Sequence, residues 1–276
     1  DGKDIASGAK DTDNGKPGSE YNTADNGMKP TRITTAEGKV YELVPASTKG
    51  DETGTVESGQ TKEVTYVYKE VKGNVVVHYT DEAGNKIAED AKDTTDGSIS
   101  TPYDTSDNGM KPERITTPEG KVYQLVPTAT QGAETGKVTE GTTEVTYVYK
   151  EVTGDVVVHY VDTEGNVIAE DKEDTKGASL NAKYDTTDNK PEKIEKDGTV
   201  YYLTEKALKD DSKPENGDVV EGKTEVTYVY EKAGQVVVHY TDEKGNTIQV
   251  DAVDTKDGKP NADYNTADND MKPNRI

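Results

Sequence analysis

The sequence predicts a mainly β protein built from tandem β-rich modules of about 81 residues, and three observations predict it. Short Val/Tyr words with strand-like alternation recur along the chain, the recurrence keeps one period, and no amphipathic helical stripe is visible. The word VTYVY begins at Val64, Val145 and Val226, and VVVHY begins at Val75, Val156 and Val236. A Tyr-x-Thr-x-Asp-Asn word begins at Tyr21, Tyr103, Tyr184 and Tyr264. The rare residues keep the same phase. All three His (His78, His159, His239) lie in VVVHY, all three Met (Met28, Met110, Met271) precede Lys-Pro, and all three Arg (Arg32, Arg114, Arg275) precede Ile.

Taken in order, each repeat opens on the VVVHY strand. Val156, Val158 and Tyr160 share one face and Val157 and His159 the other, so the strand is apolar on both sides, as a central strand should be. Asp162 to Asn166 (Asp-x-x-Gly-Asn) reads as a hairpin turn leading to a weaker strand near Val167–Glu170. The Asp-Asn-Gly-Met-Lys-Pro-Glu segment is the one place for a short helical turn. Lys121–Pro127 (KVYQLVP), after the turn Pro118-Glu119-Gly120, reads as a further strand. The closing strand places Val145, Tyr147 and Tyr149 on one face and Thr146 and Val148 on the other. Four or five strands per module are expected, with at most one short helix.

The phase sets the domain organisation. Residues 1–70 form a partial repeat without its first strand, 74–152 and 155–231 are complete, and 234–276 is partial again. The third repeat lacks the Gly-Met of its siblings, reading Asp188-Asn189-Lys190-Pro191, and its insert YLTEKALKDDSKPENG reads as a surface loop. Only Lys150–Asp155 separate VTYVY from the next VVVHY, so neighbouring modules are expected to be semi-rigid and the array a monomeric, elongated rod.

Composition narrows the function. Fifty-five acidic against thirty-three basic residues give a net charge of −22, which disfavours nucleic acid and anionic membrane surfaces. There is no cysteine, so thiolate chemistry and disulfides are excluded. No apolar run is long enough to insert in a membrane, and the first ten residues do not read as a signal peptide. No cofactor motif, nucleophile elbow or phosphate loop appears, so no enzymatic activity is expected. Each histidine lies in a separate repeat without a second local histidine, which points to a strand position and not to a metal ligand. Asp11-x-Asp13-x-Gly15 lacks the later ligands of a calcium loop.

The words VVVHY-x-D-x-x-G-N, YDTxDN…KP (Tyr103–Pro112, Tyr184–Pro191), GKVYxLVP (Gly120–Pro127) and ETGKVTEGTTEVTYVY (Glu134–Tyr149) resemble the streptococcal surface repeat (SSURE) family over essentially the whole chain. More distantly, VVVHYVDTEGNVIAED and EVTYVYK are similar to mucin-binding (MucBP) repeats. The first resemblance implies a virulence-associated adhesin anchored in a Gram-positive cell wall, binding host fibronectin and also plasminogen. The second implies a β-grasp-like module. Within each repeat the YDTxDNGMKP loop is the candidate partner-binding element, through Tyr103, Asp107, Asn108, Met110 and Lys111, and through Tyr184, Asp188 and Asn189 in the next repeat. Two other readings stay open: an inert stalk that projects another domain, and a mucin- or glycan-binding array. Adhesins without disulfides also carry Lys–Asn isopeptide crosslinks, for which the sequence assigns no pair.

Overall fold

The computed structural model describes residues 2–268 and 270–276. The chain divides into two compact units, Asp1–Thr117 with Tyr123–Lys150, and Pro118–Val122 with Glu151–Ile276.

The first partial module contributes β1 (Glu20–Asn22), β2 (Arg32–Thr34), β3 (Val40–Leu43), β4 (Thr53–Thr55) and β5 (Tyr68–Glu70). The first complete module follows with β6 (Lys72–Asp81), β7 (Ala91–Ser98), β8 (Pro102–Asp104), β9 (Arg114–Thr116), β10 (Val122–Leu125), β11 (Thr135–Lys137) and β12 (Gly141–Glu151). The second complete module repeats that order as β13 (Thr153–Asp162), β14 (Lys172–Ser179), β15 (Lys183–Asp185), β16 (Lys193–Lys196), β17 (Thr199–Leu208), β18 (Asn216–Asp218) and β19 (Gly222–Lys232). The hairpin of β20 (Gly234–Thr241) and β21 (Thr247–Gly258) closes the series.

Each complete module has one five-stranded sheet, ordered β7-β6-β12-β10-β9 and β14-β13-β19-β17-β16, and a two-stranded sheet, β8 with β11 and β15 with β18. The opening and closing strands of a repeat are therefore central neighbours, and they run parallel: β6 pairs with β12 from Gly73↔Gly141 to Asp81↔Tyr149, and β13 with β19 from Gly154↔Gly222 to Asp162↔Tyr230. Their two-sided apolar pattern demands this central place, since an edge position would expose one face and leave one row of backbone groups unpaired.

The inward row of each pair forms the core. Val75, Val77, Val145, Tyr147 and Tyr149 are fully buried in one module, and Val156, Val158, Val226, Tyr228 and Tyr230 in the other. Burying a side chain of this class contributes about 1.5–3 kcal/mol. Tyr79 lies 6.4 Å from both Tyr147 and Tyr149, ring centroid to centroid, so tyrosine does the packing that Phe and Trp do elsewhere. The same VTYVY word in residues 1–70, which has no VVVHY partner there, leaves Val64, Tyr66 and Tyr68 only half-buried.

Four sequence expectations are corrected. The weak strand placed at Val167–Glu170 is a single bridge, Val161↔Val167; Ile168 instead turns into the core, and the paired strand begins at Lys172. Each complete module has seven strands and not four or five, because the short β8–β11 and β15–β18 pairs carry too few residues to show alternation. The insert of the third repeat is largely strand: β17 runs to Leu208, which pairs with Tyr228 past an irregularity where Thr204 Oγ1 donates to Val229 O at 2.9 Å. Ala207 and Leu208 pack on the core, which is what draws the insert into the sheet. Finally, helical turns of 3₁₀ type occur at Pro45–Ser47 and Pro127–Ala129, outside the segment expected to hold one, as well as at Thr186–Asn189, which overlaps its start.

Candidate functional site

The YxTxDN loop is built the same way three times. Its tyrosine, buried at Tyr103 and Tyr184 and half-buried at Tyr21, reaches across to a backbone carbonyl: Tyr103 Oη donates to Ala133 O at 3.1 Å, Tyr184 Oη to Pro214 O at 3.0 Å and Tyr21 Oη to Asp51 O at 3.2 Å. The ring lies on a glycine of the opposite short strand. A Cβ on Gly136 would stand 2.9 Å from Tyr103 Oη, and one on Gly54 2.9 Å from Tyr21 Oη.

Two residues on, the threonine hydroxyl meets a core tyrosine. Thr105 and Tyr147 hydroxyls are 2.9 Å apart, Thr186 and Tyr228 2.8 Å, and Thr23 and Tyr66 2.8 Å. The loop lysine then crosses the same ring to a glutamate. Lys111 Nζ donates to Glu134 at 2.6 Å and lies 5.3 Å from the Tyr147 ring centroid; Lys190 does so to Glu215 at 2.7 Å and 5.6 Å from Tyr228; Lys29 to Glu52 at 2.6 Å and 5.3 Å from Tyr66. These ion pairs are half-buried, with side-chain exposures from 21% to 31%, where charge-assisted bonds are stronger than on an open surface. The bond to Glu52 raises the Lys29 pKa, so this amine stays cationic and is a poor nucleophile for a crosslink. Burial pushes the Tyr228 hydroxyl up to about 12.

The loop backbone is tied to both central strands. Tyr79 Oη, from β6, donates to Met110 O at 2.8 Å, and Tyr149 Oη, from β12, donates to Pro112 O at 2.8 Å. The second complete module repeats this with Tyr160 Oη to Asn189 O at 2.7 Å and Tyr230 Oη to Pro191 O at 2.8 Å.

The sequence-selected residues therefore divide. Asp107, Asn108 and Asp188 are exposed at the loop tip. Asn108 (φ 49°) and Gly109 (φ 75°) form its left-handed turn, which asparagine and glycine tolerate and β-branched residues do not. Asn108 Nδ2 donates to Asp107 Oδ1 at 2.6 Å, and Asn189 Nδ2 donates to Asp174 Oδ1 at 3.0 Å and Asp188 Oδ1 at 3.2 Å. Tyr103 and Tyr184 are buried, so they position the loop and offer a partner no ring face. Met110, expected at the surface, packs half-buried against the module core. Lys111 is held by Glu134. The sequence reading missed Glu134 and Glu215, although the recurring Glu-x-Gly at Glu52, Glu134 and Glu215 keeps the repeat period and would have marked them.

Elsewhere, each strand histidine faces a carboxylate: His78 Nδ1 is 3.2 Å from Asp90, His159 Nδ1 2.7 Å from Asp171, and His239 Nδ1 2.9 Å from Asp251. The His78 bond lowers the Asp90 pKa. Among the described residues no group of three His, Asp or Glu side chains is arranged to hold a metal ion. Nor is any helix there long and apolar enough to cross a membrane.

The chain is similar to several known proteins. The chain is 41% identical to the muramidase-released protein of Streptococcus suis over 259 residues, an alignment covering 84% of this chain and 20% of that one. It spans about a fifth of that relative's length. Among solved structures, tandem SHIRT domains 3-4 of a streptococcal cell surface protein match 58% of this chain and 97% of that one at 6% identity and a TM-score of 0.27. Mub-RV matches 58% and 99% at 14% identity and 0.21, and the Bacillus anthracis TIE protein 88% and 52% at 11% and 0.25. Four successive matches to the profile of the MucBP domain, at residues 1–69, 74–150, 155–231 and 235–273, take in nearly the whole chain, which thus belongs to the MucBP domain family as a tandem array.

Proposed function

We propose that the array is a multivalent adhesin in which each module presents the same loop tip to a host extracellular protein, with fibronectin as the ligand, plasminogen as a second one, and a cell-wall anchor holding the whole protein at the bacterial surface. One observation carries this reading. The Tyr–Thr–Lys–Glu scaffold is rebuilt in successive modules, and in the two complete ones it lifts an exposed polar tip, Asp107-Asn108 and Thr187-Asp188, off a rigid sheet. Carboxylates and amides at the tip suit hydrogen bonding to peptide groups.

Mucin is the second reading, favoured by the family to which the chain belongs. In the two complete modules the tip has no exposed aromatic ring to stack on a sugar. A chain of net charge −22 is also repelled by sialylated or sulfated glycans, so attachment to mucin would strengthen with added salt.

Repeated weak sites act through effective concentration, and avidity can exceed single-site affinity by ~10²–10⁴ when the partner is itself repetitive. The test uses the full chain on dense layers of fibronectin, plasminogen and mucin. Asp25→Ala with Asn26→Ala, Asp107→Ala with Asn108→Ala, Asp188→Ala and Asp268→Ala silence the tips one after another. Dissociation should accelerate stepwise with each silenced tip, by tenfold or more overall. If the fully silenced chain stays bound as long as the parent, the loop tip is not the adhesive surface.

A further inference from the structure

We infer that each complete module is a force-bearing clamp, so that the array serves as a mechanical tether as well as a ligand-binding surface. The geometry is that of the two strands carrying the module's ends. The chain enters at Gly73, runs along β6, and leaves at Tyr149 after running along β12 in the same direction beside it. Tension on the array therefore pulls the start of β6 and the end of β12 apart along their common axis. The nine registered pairs from Gly73↔Gly141 to Asp81↔Tyr149 are loaded together, in shear. β13 and β19 repeat the arrangement with nine pairs from Gly154↔Gly222 to Asp162↔Tyr230.

In a parallel pair the hydrogen bonds are evenly spaced, so no end of the ladder yields first. Peeling from one end would break the same bonds one at a time, each contributing only about 1 kcal/mol net. Forced unfolding follows the barrier to the first rupture, and loading the ladder as a whole raises that barrier.

Two further features reinforce the clamp. The tyrosine hydroxyls of both strands are pinned to the same loop, Tyr79 to Met110 O and Tyr149 to Pro112 O, so sliding one strand past the other must also break this staple. At the entrance the opening strand is closely covered by the segment that leads into the closing strand. A Cβ on Gly73 would stand 1.8 Å from Thr139 O, and one on Gly154 1.9 Å from Val220 O. This inference holds whatever the ligand is.

The chain has no cysteine, so paired cysteines can define the pulling direction in single-molecule force spectroscopy on the full chain. Lys72→Cys with Lys150→Cys pulls opposite ends of the clamp, in shear; Lys72→Cys with Thr142→Cys pulls the same end, and peels it. All three positions are exposed, so the fold should tolerate them. At equal loading rate the shear pair should unfold at a force at least about twofold higher. Either pair should release on the order of 250 Å of contour, from about 3.3–3.6 Å per residue less the folded span. A parallel measurement on the parent chain held at its two ends should give two such high-force events, one per complete module. Equal forces for the two cysteine pairs, or end-to-end rupture at the peeling force, would overturn the clamp.

Discussion

At the scale of single residues, the contacts that define the loop are polar bonds made inside an apolar core. Tyr147 is fully buried, yet its hydroxyl faces Thr105 and its ring carries Lys111. Tyrosine is needed here and phenylalanine would not suffice, which gives physical sense to a chain with seventeen tyrosines and no phenylalanine or tryptophan. Tyr147→Phe keeps the packing and removes the hydroxyl. The change should destabilise the module by about 1 kcal/mol, read as a lower denaturation midpoint at unchanged slope. A midpoint equal to that of the parent would show that the hydroxyl pair contributes nothing. Burial of Tyr147 was legible from its alternation with Val145 and Tyr149. Its hydroxyl partner was not, because Thr105 lies 42 residues away and only the fold brings it near.

At the scale of elements, the parallel pair depends on glycine at its entrance. Gly73→Ala would force away Thr139, in the connection leading into β12, because the clash is with backbone and not with a mobile side-chain tip. A loss on the order of 3 kcal/mol or more is expected for that module. Gly234 occupies the equivalent position in the β20–β21 hairpin, where the nearest atom to an added Cβ is Gly258 O at 3.9 Å. Gly234→Ala should leave the melting profile of this chain within about 0.5 kcal/mol of the parent. Comparable losses from the two substitutions would refute the close-approach account. The strands themselves were readable from their period-2 pattern. The glycine requirement was not, since a Gly before a strand reads only as a turn residue until its neighbour is known.

At the scale of the whole molecule, this is a tandem array of MucBP domains, and its modules share one pH response. Burial raises the pKa of Tyr79, Tyr147 and Tyr149 in one module and of Tyr160, Tyr228 and Tyr230 in the next, Tyr228 to about 12. A phenol whose folded pKa lies above its unfolded value near 10 holds its proton more tightly when folded. The stabilisation is fully present below pH ~10 and is lost as pH rises through about 12. Ionisation would also add charge to a chain already at −22. On the acid side, the Asp81, Asp162 and Asp242 carboxyls are held below the usual range, chiefly by the amides of Asn85, Asn166 and Asn246. Their contribution is present above the unfolded carboxylate range near 4 and is lost as pH falls below it. Thermal melts should therefore give a plateau between about pH 5 and 9 and a steep fall above 10. A melting temperature still level at pH 12 would contradict the buried-phenol account.

The sequence by itself determined the repeat, its period, the mainly β class, and the faces of the two long strands, because alternation and recurrence are properties of the chain read locally. It also determined that the Tyr-x-Thr-x-Asp-Asn loop recurs with each module. Only the tertiary structure decided that VVVHY pairs in parallel with the VTYVY of its own repeat, about 70 residues later, and not with the one just before it. It likewise decided that Tyr103, Tyr184, Met110 and Lys111 support the loop from within while Asp107, Asn108 and Asp188 remain outside. The reason is that pairing and burial depend on contacts between residues far apart in the chain, and near-identical repeats offer several partners of equal local merit. Closure of each sheet around one buried tyrosine cluster selects among them.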